Sequence, residues 1–167
     1  MSANSITPLL WFNGEAEEAV RFYVSIFSNS KIENISRYGD AGPGEEGAAM
    51  MIEFQLEGKD YMALNGSSSD AEQVSGSDVP QGAIALFVNC PTQAEVDRLW
   101  QRLGEGGEYL PCGWLHDRYG FAWNIVPEGL GELLGNPDRE KAERAMRAML
   151  EMGKLDINEL RRAFDGG

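Results

Sequence analysis

The one histidine of this 167-residue chain, His116, stands beside Asp117, and an imidazole oriented by a carboxylate has the makings of a general base. A plainer reading competes with it. The pair lies in His116-Asp117-Arg118-Tyr119-Gly120, where Asp and Gly suit a tight reversal and Asp117 would accept bonds from nearby backbone amides. We prefer the turn reading. Trp114 and Leu115 before the segment, and Phe121, Trp123, Ile125 and Val126 after it, read as the two strands of a hairpin. A second candidate is Glu53, which shares strand parity with Met51 and Gln55, opposite Ile52, Phe54 and Leu56. It is either a ligand contact or a solvated residue at a strand end. Other chemistries lack their parts. Cys90 and Cys112 form no CxxC pair, and a P-loop, a GxSxG elbow and a Cys-His nucleophile are all missing. The cluster Gly104-Glu105-Gly106-Gly107 follows a helix and enters a strand. It therefore stops a helix and does not open one around a nucleotide-like cofactor.

The elements that must position these residues follow from periodicity. Ile6 to Phe12 is an apolar run suited to a strand, broken by Asn13-Gly14. From about Glu15 to Phe27, Ala16, Ala19, Val20, Tyr23, Val24 and Phe27 recur at helical spacing. Strands are expected over Lys31 to Tyr38, Ala48 to Glu57 and Asp60 to Leu64, with Gly58-Lys59 joining the last two. Asn65 to Gly82, rich in Ser, Gly, Asp and Gln, reads as a linker. The order then repeats: a strand at Ala83 to Asn89, a helix at Thr92 to Leu103 opened by a Thr92/Glu95 capping box, an approach strand at Gly107 to Pro111, and the hairpin Cys112 to Pro127. In the tail, Asn136-Pro137 starts a helix whose apolar face is Ala142, Ala145, Met146, Met149 and Leu150. Asp156 and Glu159 cap a final helix.

Composition narrows the function classes. With 27 acidic and 14 basic residues the formal charge is -13, which argues against nucleic acid or anionic membrane as a partner. The 43% hydrophobic content is enough to fill a core, so most of the chain is expected to fold. No run approaches the ~20 apolar residues of a membrane span, and MSANSITPLLWF carries no basic leader. Two cysteines outside any disulfide framework suit a reducing cytoplasm.

The opening ITPLLWFNGEAEEAVRFYVSIF and the hairpin CGWLHDRYGFAWNIVP, set in two βαβββ units, resemble the PhnB-like proteins. These form the "3-demethylubiquinone-9 3-methyltransferase" family of the glyoxalase/bleomycin-resistance/dioxygenase (vicinal oxygen chelate) superfamily. The resemblance implies an α+β fold of tandem βαβββ modules forming a curled mixed sheet. The glyoxalase-like domain would span residues 1–130, with modules at about 5–65 and 83–130 and a linker at 66–82, followed by a helical appendage over 131–167. Metal-dependent members place His and Glu at four equivalent positions, which fall here on Pro8 or Thr7, near Ala63, on Ala83 and on Asn124. Two alanines and a proline cannot hold a divalent ion, so neither a metal nor another cofactor is expected.

By the same resemblance, Pro8, Leu10 and Phe12, then Ala83, Ala85 and Phe87, then Ala122, Asn124 and Val126 would face into the cup. Trp123 and Ile125 would face the helices, and Tyr61 and Trp114 could supply aromatic walls. The expected ligand-binding set is Phe12, Glu53, Tyr61, Phe87, Trp114 and Asn124. The expected function is metal-independent binding of a small molecule by a homodimer. The alternative is an enzyme of the same superfamily, metal-assisted or using Glu53 as a base. An S-adenosylmethionine methyltransferase is disfavoured, since no glycine-rich turn leads from a strand into a helix.

Overall fold

The computed structural model describes residues 7–39, 45–66 and 84–167. Ala83 and all but Gly66 of the expected 66–82 linker lie outside the described residues. The chain divides into two compact units, residues 1–80 and 81–167.

The first unit runs β1 (Leu9–Phe12), α1 (Ala16–Ile26), β2 (Lys31–Arg37), β3 (Ala49–Leu56) and β4 (Lys59–Asn65). Its sheet has the order β1-β4-β3-β2, with β1 parallel to β4 and the other pairs antiparallel. The helical stripe read from spacing buries Ala19, Val20 and Tyr23 completely, and Ile52, Phe54 and Ala63 of the sheet are equally dry. One turn differs from expectation by a residue. Leu56 pairs with Lys59 across Glu57-Gly58, both at positive φ (51° and 73°), the requirement of a two-residue loop whose twist matches its strands.

The start of α1 is held from a distance. Glu15 at the N-cap makes no side-chain capping bond. Asn65, at the end of β4, takes over: its Oδ1 accepts from Ala16 N at 2.9 Å and Gly14 N at 3.2 Å, while its Nδ2 donates to the Ala49 carbonyl at 2.8 Å. One buried amide thus caps the helix and ties it to β3, satisfying donors that the helix cannot.

The second unit runs β5 (Leu86–Cys90), α2 (Gln93–Gly104), β6 (Glu108–Tyr109), β7 (Trp114–His116) and β8 (Ala122–Pro127). It continues with α3 (Leu130–Leu134), α4 (Arg139–Glu151) and α5 (Ile157–Asp165). The sheet order β5-β8-β7-β6, with β5 parallel to β8, repeats that of the first unit. Thr92 caps α2, its hydroxyl accepting from Glu95 N at 3.2 Å. Val96, Leu99 and Leu103 of α2 form a core with Leu115, Trp123 and Ile125.

The C-terminal helices depart from expectation in three ways. The short helix α3 precedes the first one foreseen. The cap of α4 is Asp138, which accepts from Lys141 N at 3.2 Å, whereas Asn136, two residues earlier, accepts from Asp138 N. The buried face of α4 is also rotated: Ala145 is dry and Ala148 and Met149 half-buried, but Met146 and Leu150 are 40% and 60% exposed. Val126, Leu130, Leu155 and Leu160 form the cluster these helices pack around. Among the described residues, no helix is long and apolar enough to cross a membrane.

Candidate functional site

Each sheet has one face covered by its own helix and one face that is not, and side chains alternate between the two. In the first unit the pairings Leu10↔Ala63, Phe12↔Asn65 and Phe54↔Tyr61 place these residues on one face, the one whose members are buried with α1. This corrects the inward set read from sequence. Leu10 and Phe12 are core residues, 6% and 3% exposed, and Leu9 and Trp11 take the opposite face. Tyr61 stacks on the buried Phe54 ring at 5.6 Å between centroids, and burial pushes its hydroxyl pKa above the ordinary tyrosine value. Phe12 and Tyr61 therefore belong to the helical core and not to a ligand surface. Ala63, completely buried, goes with them. Glu53 lies on the opposite face, half-buried, opposite Met62 of β4, which in turn pairs with Leu9.

In the second unit the parity read from sequence places the residues where the structure has them. Phe87, Asn124 and Trp114 are consecutive cross-strand neighbours on β5, β8 and β7. They share the face away from α2, while Trp123 and Ile125 enter the helical core. Above this row is a hollow of about 320 Å³. The sheet contributes Phe87, Trp114, Asn124 and Val126, and Cys112 enters from the segment before β7. The remaining wall is Leu130, Gly131 and Leu134 of α3 and Met149 of α4. Phe87 and Trp114 are 65% and 40% exposed, whereas the amide between them is 7% exposed. Asn124 Nδ2 donates to the Cys112 carbonyl at 3.2 Å, and its Oδ1 receives no hydrogen bond from the described residues. Among the described residues, none that lines the hollow carries a charge. The hollow therefore presents two aromatic rings, aliphatic walls and the Asn124 amide oxygen, which suits an uncharged and largely apolar guest. Sequence reasoning missed the wall from α3 and α4. Met149 stood in an apolar stripe, and nothing local distinguishes a stripe that packs from one that also lines a site.

The His116-Asp117 pair does not form a catalytic couple. Asp117 is 3% exposed; its Oδ1 accepts from Tyr119 N at 2.9 Å and Phe121 N at 3.0 Å, and its Oδ2 from Trp123 Nε1 at 2.8 Å. The carboxylate thus organises the hairpin turn and anchors the core indole. His116 instead has its Nδ1 at 3.5 Å from Glu108 Oε2, on the exposed β6–β7 pairing. The glycine cluster is likewise structural. A Cβ on Gly104 would lie 2.1 Å from the Tyr109 ring, and one on Gly107 would lie 2.0 Å from the His116 carbonyl, so both permit α2 to turn closely into β6.

The positions at which metal-dependent members of the superfamily carry ligands supply few donors in this chain. Pro8 and Ala63 offer no side-chain ligand, Ala83 lies outside the described residues, and Asn124 offers one amide oxygen. Among the described residues, no three His, Cys, Asp or Glu side chains are grouped to hold an ion. A divalent cation needs several strong donors to replace its water, and this donor set does not fit one.

Two βαβββ units, each with a mixed open sheet of the same strand order and followed here by C-terminal helices, define the glyoxalase/bleomycin-resistance class of fold. Residues 4–126 match the family model described as 3-demethylubiquinone-9 3-methyltransferase, and the chain belongs to this PhnB-like family. It is similar to the PhnB protein from Bacillus cereus, with 34% identity, a TM-score of 0.64, and coverage of 74% of this chain and 99% of that one. Protein PA1353 from Pseudomonas aeruginosa shares the fold, with 24% identity, a TM-score of 0.57, and coverage of 75% of this chain and 100% of that one. No curated protein matches the chain.

Proposed function

We propose that the chain is a metal-independent binding protein for a small, neutral, largely apolar molecule, held in the hollow of its second unit. The observation that carries this reading is the row Phe87, Asn124, Trp114: two partly exposed aromatic rings flank a buried amide whose nitrogen donates to the Cys112 carbonyl and whose oxygen takes no hydrogen bond from the described residues. Aromatic faces supply most of the contact area and a lone polar group supplies orientation, the usual division of labour in a ligand pocket. The absence of charge among the described lining residues disfavours phosphates and carboxylates. The methyltransferase description of the family finds no support in the glycine cluster, which turns a helix into a strand and cradles nothing. The homodimer implied by the resemblance, the cytoplasmic location suggested by the cysteine usage and the lack of nucleic-acid partners suggested by the net charge of -13 belong to the same proposal.

A thermal-shift screen against small neutral aromatics and quinones tests it, with cationic antibiotics as the controls that should give no shift. A ligand present at 100 times its Kd stabilises the native state by about 2.7 kcal/mol, enough for a clear rise in Tm. The rise should vanish in the double variant Phe87→Ala/Trp114→Ala. Stabilisation that survives this double variant would place binding elsewhere and refute the reading.

A further inference from the structure

The family model ends at Val126, and the hollow takes Leu130, Gly131, Leu134 and Met149 from beyond that point. This part of the wall is thus supplied by a segment outside the domain the family shares. It is also firmly docked. Cys112 N donates to the Met152 carbonyl at 2.8 Å and Gly113 N to the Gly153 carbonyl at 2.7 Å, while the Gly113 carbonyl accepts from Ile125 N at 2.8 Å. Gly113 therefore bridges β8 and the chain leaving α4. Its φ of +79° and the 2.7 Å from a built Cβ to the Ile125 carbonyl leave no room for a side chain.

A second clamp follows the first directly along the chain, over residues 154–157. The Gln93 amide donates to the Leu155 carbonyl and accepts from Ile157 N, both at 2.9 Å. Lys154 pairs with Asp97 at 2.5 Å and holds that carboxyl below its usual pKa. The Cys112 carbonyl, fixed by the first clamp, is the acceptor for Asn124 Nδ2. The docked appendage thereby orients the amide so that Oδ1 is the group left to a guest.

Resting on the ligand-binding reading above, we propose that helices α3 and α4 form the selectivity wall of the hollow. They size it for a neutral guest of about two fused rings that donates one hydrogen bond to Asn124 Oδ1. A volume near 320 Å³ is at the small end of the ~300–1,000 Å³ of ligand pockets, and Leu134 and Met149 are the largest side chains that α3 and α4 bring to its wall beside Leu130.

Equilibrium dialysis with 2-naphthol, its methyl ether 2-methoxynaphthalene, and the larger 1-pyrenol tests the proposal on the full chain. The wild type should bind 2-naphthol roughly 5-fold or more tighter than the ether, which lacks the donor. Met149→Trp should weaken 2-naphthol roughly 10-fold or more by filling the hollow. Met149→Ala should admit 1-pyrenol roughly 5-fold or more tighter than wild type. Met146→Ala, on the exposed side of the same helix, should leave all three within about 2-fold. Circular dichroism and Tm establish that each variant is folded, and if Met149→Trp is not, Met149→Ala decides.

Unchanged selectivity in the Met149 variants, with binding still lost in Phe87→Ala/Trp114→Ala, would overturn the wall while leaving the binding site intact. Equal affinity for naphthol and ether would overturn the role of Asn124 Oδ1. Failure of the wild type to bind any of the three probes would overturn the wall together with the reading beneath it.

Discussion

Replacing Asp117 with Ala isolates the purpose of the His-Asp pair. The carboxylate accepts hydrogen bonds from Tyr119 N, Phe121 N and Trp123 Nε1. Hydrogen bonds to a charged group contribute about 1.5–3 kcal/mol each, but the losses do not add, because partners near the surface regain water. The two turn amides are part-buried and can do so. The Trp123 indole, 2% exposed, cannot, and a stranded buried donor costs about 1–3 kcal/mol by itself. Together the loss should be about 3–4 kcal/mol, a shift of roughly 200- to 900-fold in the folding equilibrium.

Asp117→Asn keeps an oxygen for the amides but turns an NH₂ towards the indole N–H, and should cost about half as much. His116→Ala should fall within about 0.5 kcal/mol of wild type, since the His116 side chain is 42% exposed and its Glu108 partner 69%. Urea unfolding followed by tryptophan fluorescence reads these changes, because three of the four tryptophans (Trp100, Trp114 and Trp123) lie in the second unit. A cost below about 1 kcal/mol for Asp117→Ala, or an equal cost for His116→Ala, would refute the assignment of Asp117 to the turn.

The same logic extends to the other unit and to the thiols. Asn65→Ala should destabilise by about 2–3 kcal/mol through loss of a helix cap and a buried strand bond. Asn65→Asp should restore part of that loss, and amide exchange in the first turn of α1 should show where it falls; unchanged exchange there would contradict the remote cap. Cys90, 1% exposed, has its thiol pushed up to about 11, chiefly by burial and then by Glu95. At pH 8 only about 10⁻³ of it is thiolate. The native protein should therefore give one fast equivalent with a disulfide reagent, from Cys112, and the second only on unfolding. Since the folded pKa is the higher one, the stabilising effect of the protonated thiol is complete below pH 9.0 and lost as pH rises towards 11. Two fast equivalents at pH 8 would refute the burial of Cys90.

Much of this molecule is legible in its sequence because the governing forces are local. The 3.6-residue spacing of Ala16, Ala19, Val20 and Tyr23 marks α1, the Thr92/Glu95 pair marks the start of α2, and alternation along Ala122–Pro127 separates Asn124 from Trp123 and Ile125. The repeat of that order identifies the two-unit fold. Elsewhere the local pattern is silent. Leu9, Leu10, Trp11 and Phe12 are all apolar, so β1 shows no alternation, and only its pairing with β4 decides that Leu10 and Phe12 face α1. Asn65 reads as the first residue of a linker, yet it caps a helix that begins 49 residues earlier. The hollow combines both kinds of information. Its aromatic row follows from strand parity, but its far wall exists only because Cys112 and Gly113 pair with residues some 40 positions downstream. Hydrophobic periodicity says which side of a helix is buried; what it is buried against, and whether a space is left between, depends on long-range packing that no single segment encodes.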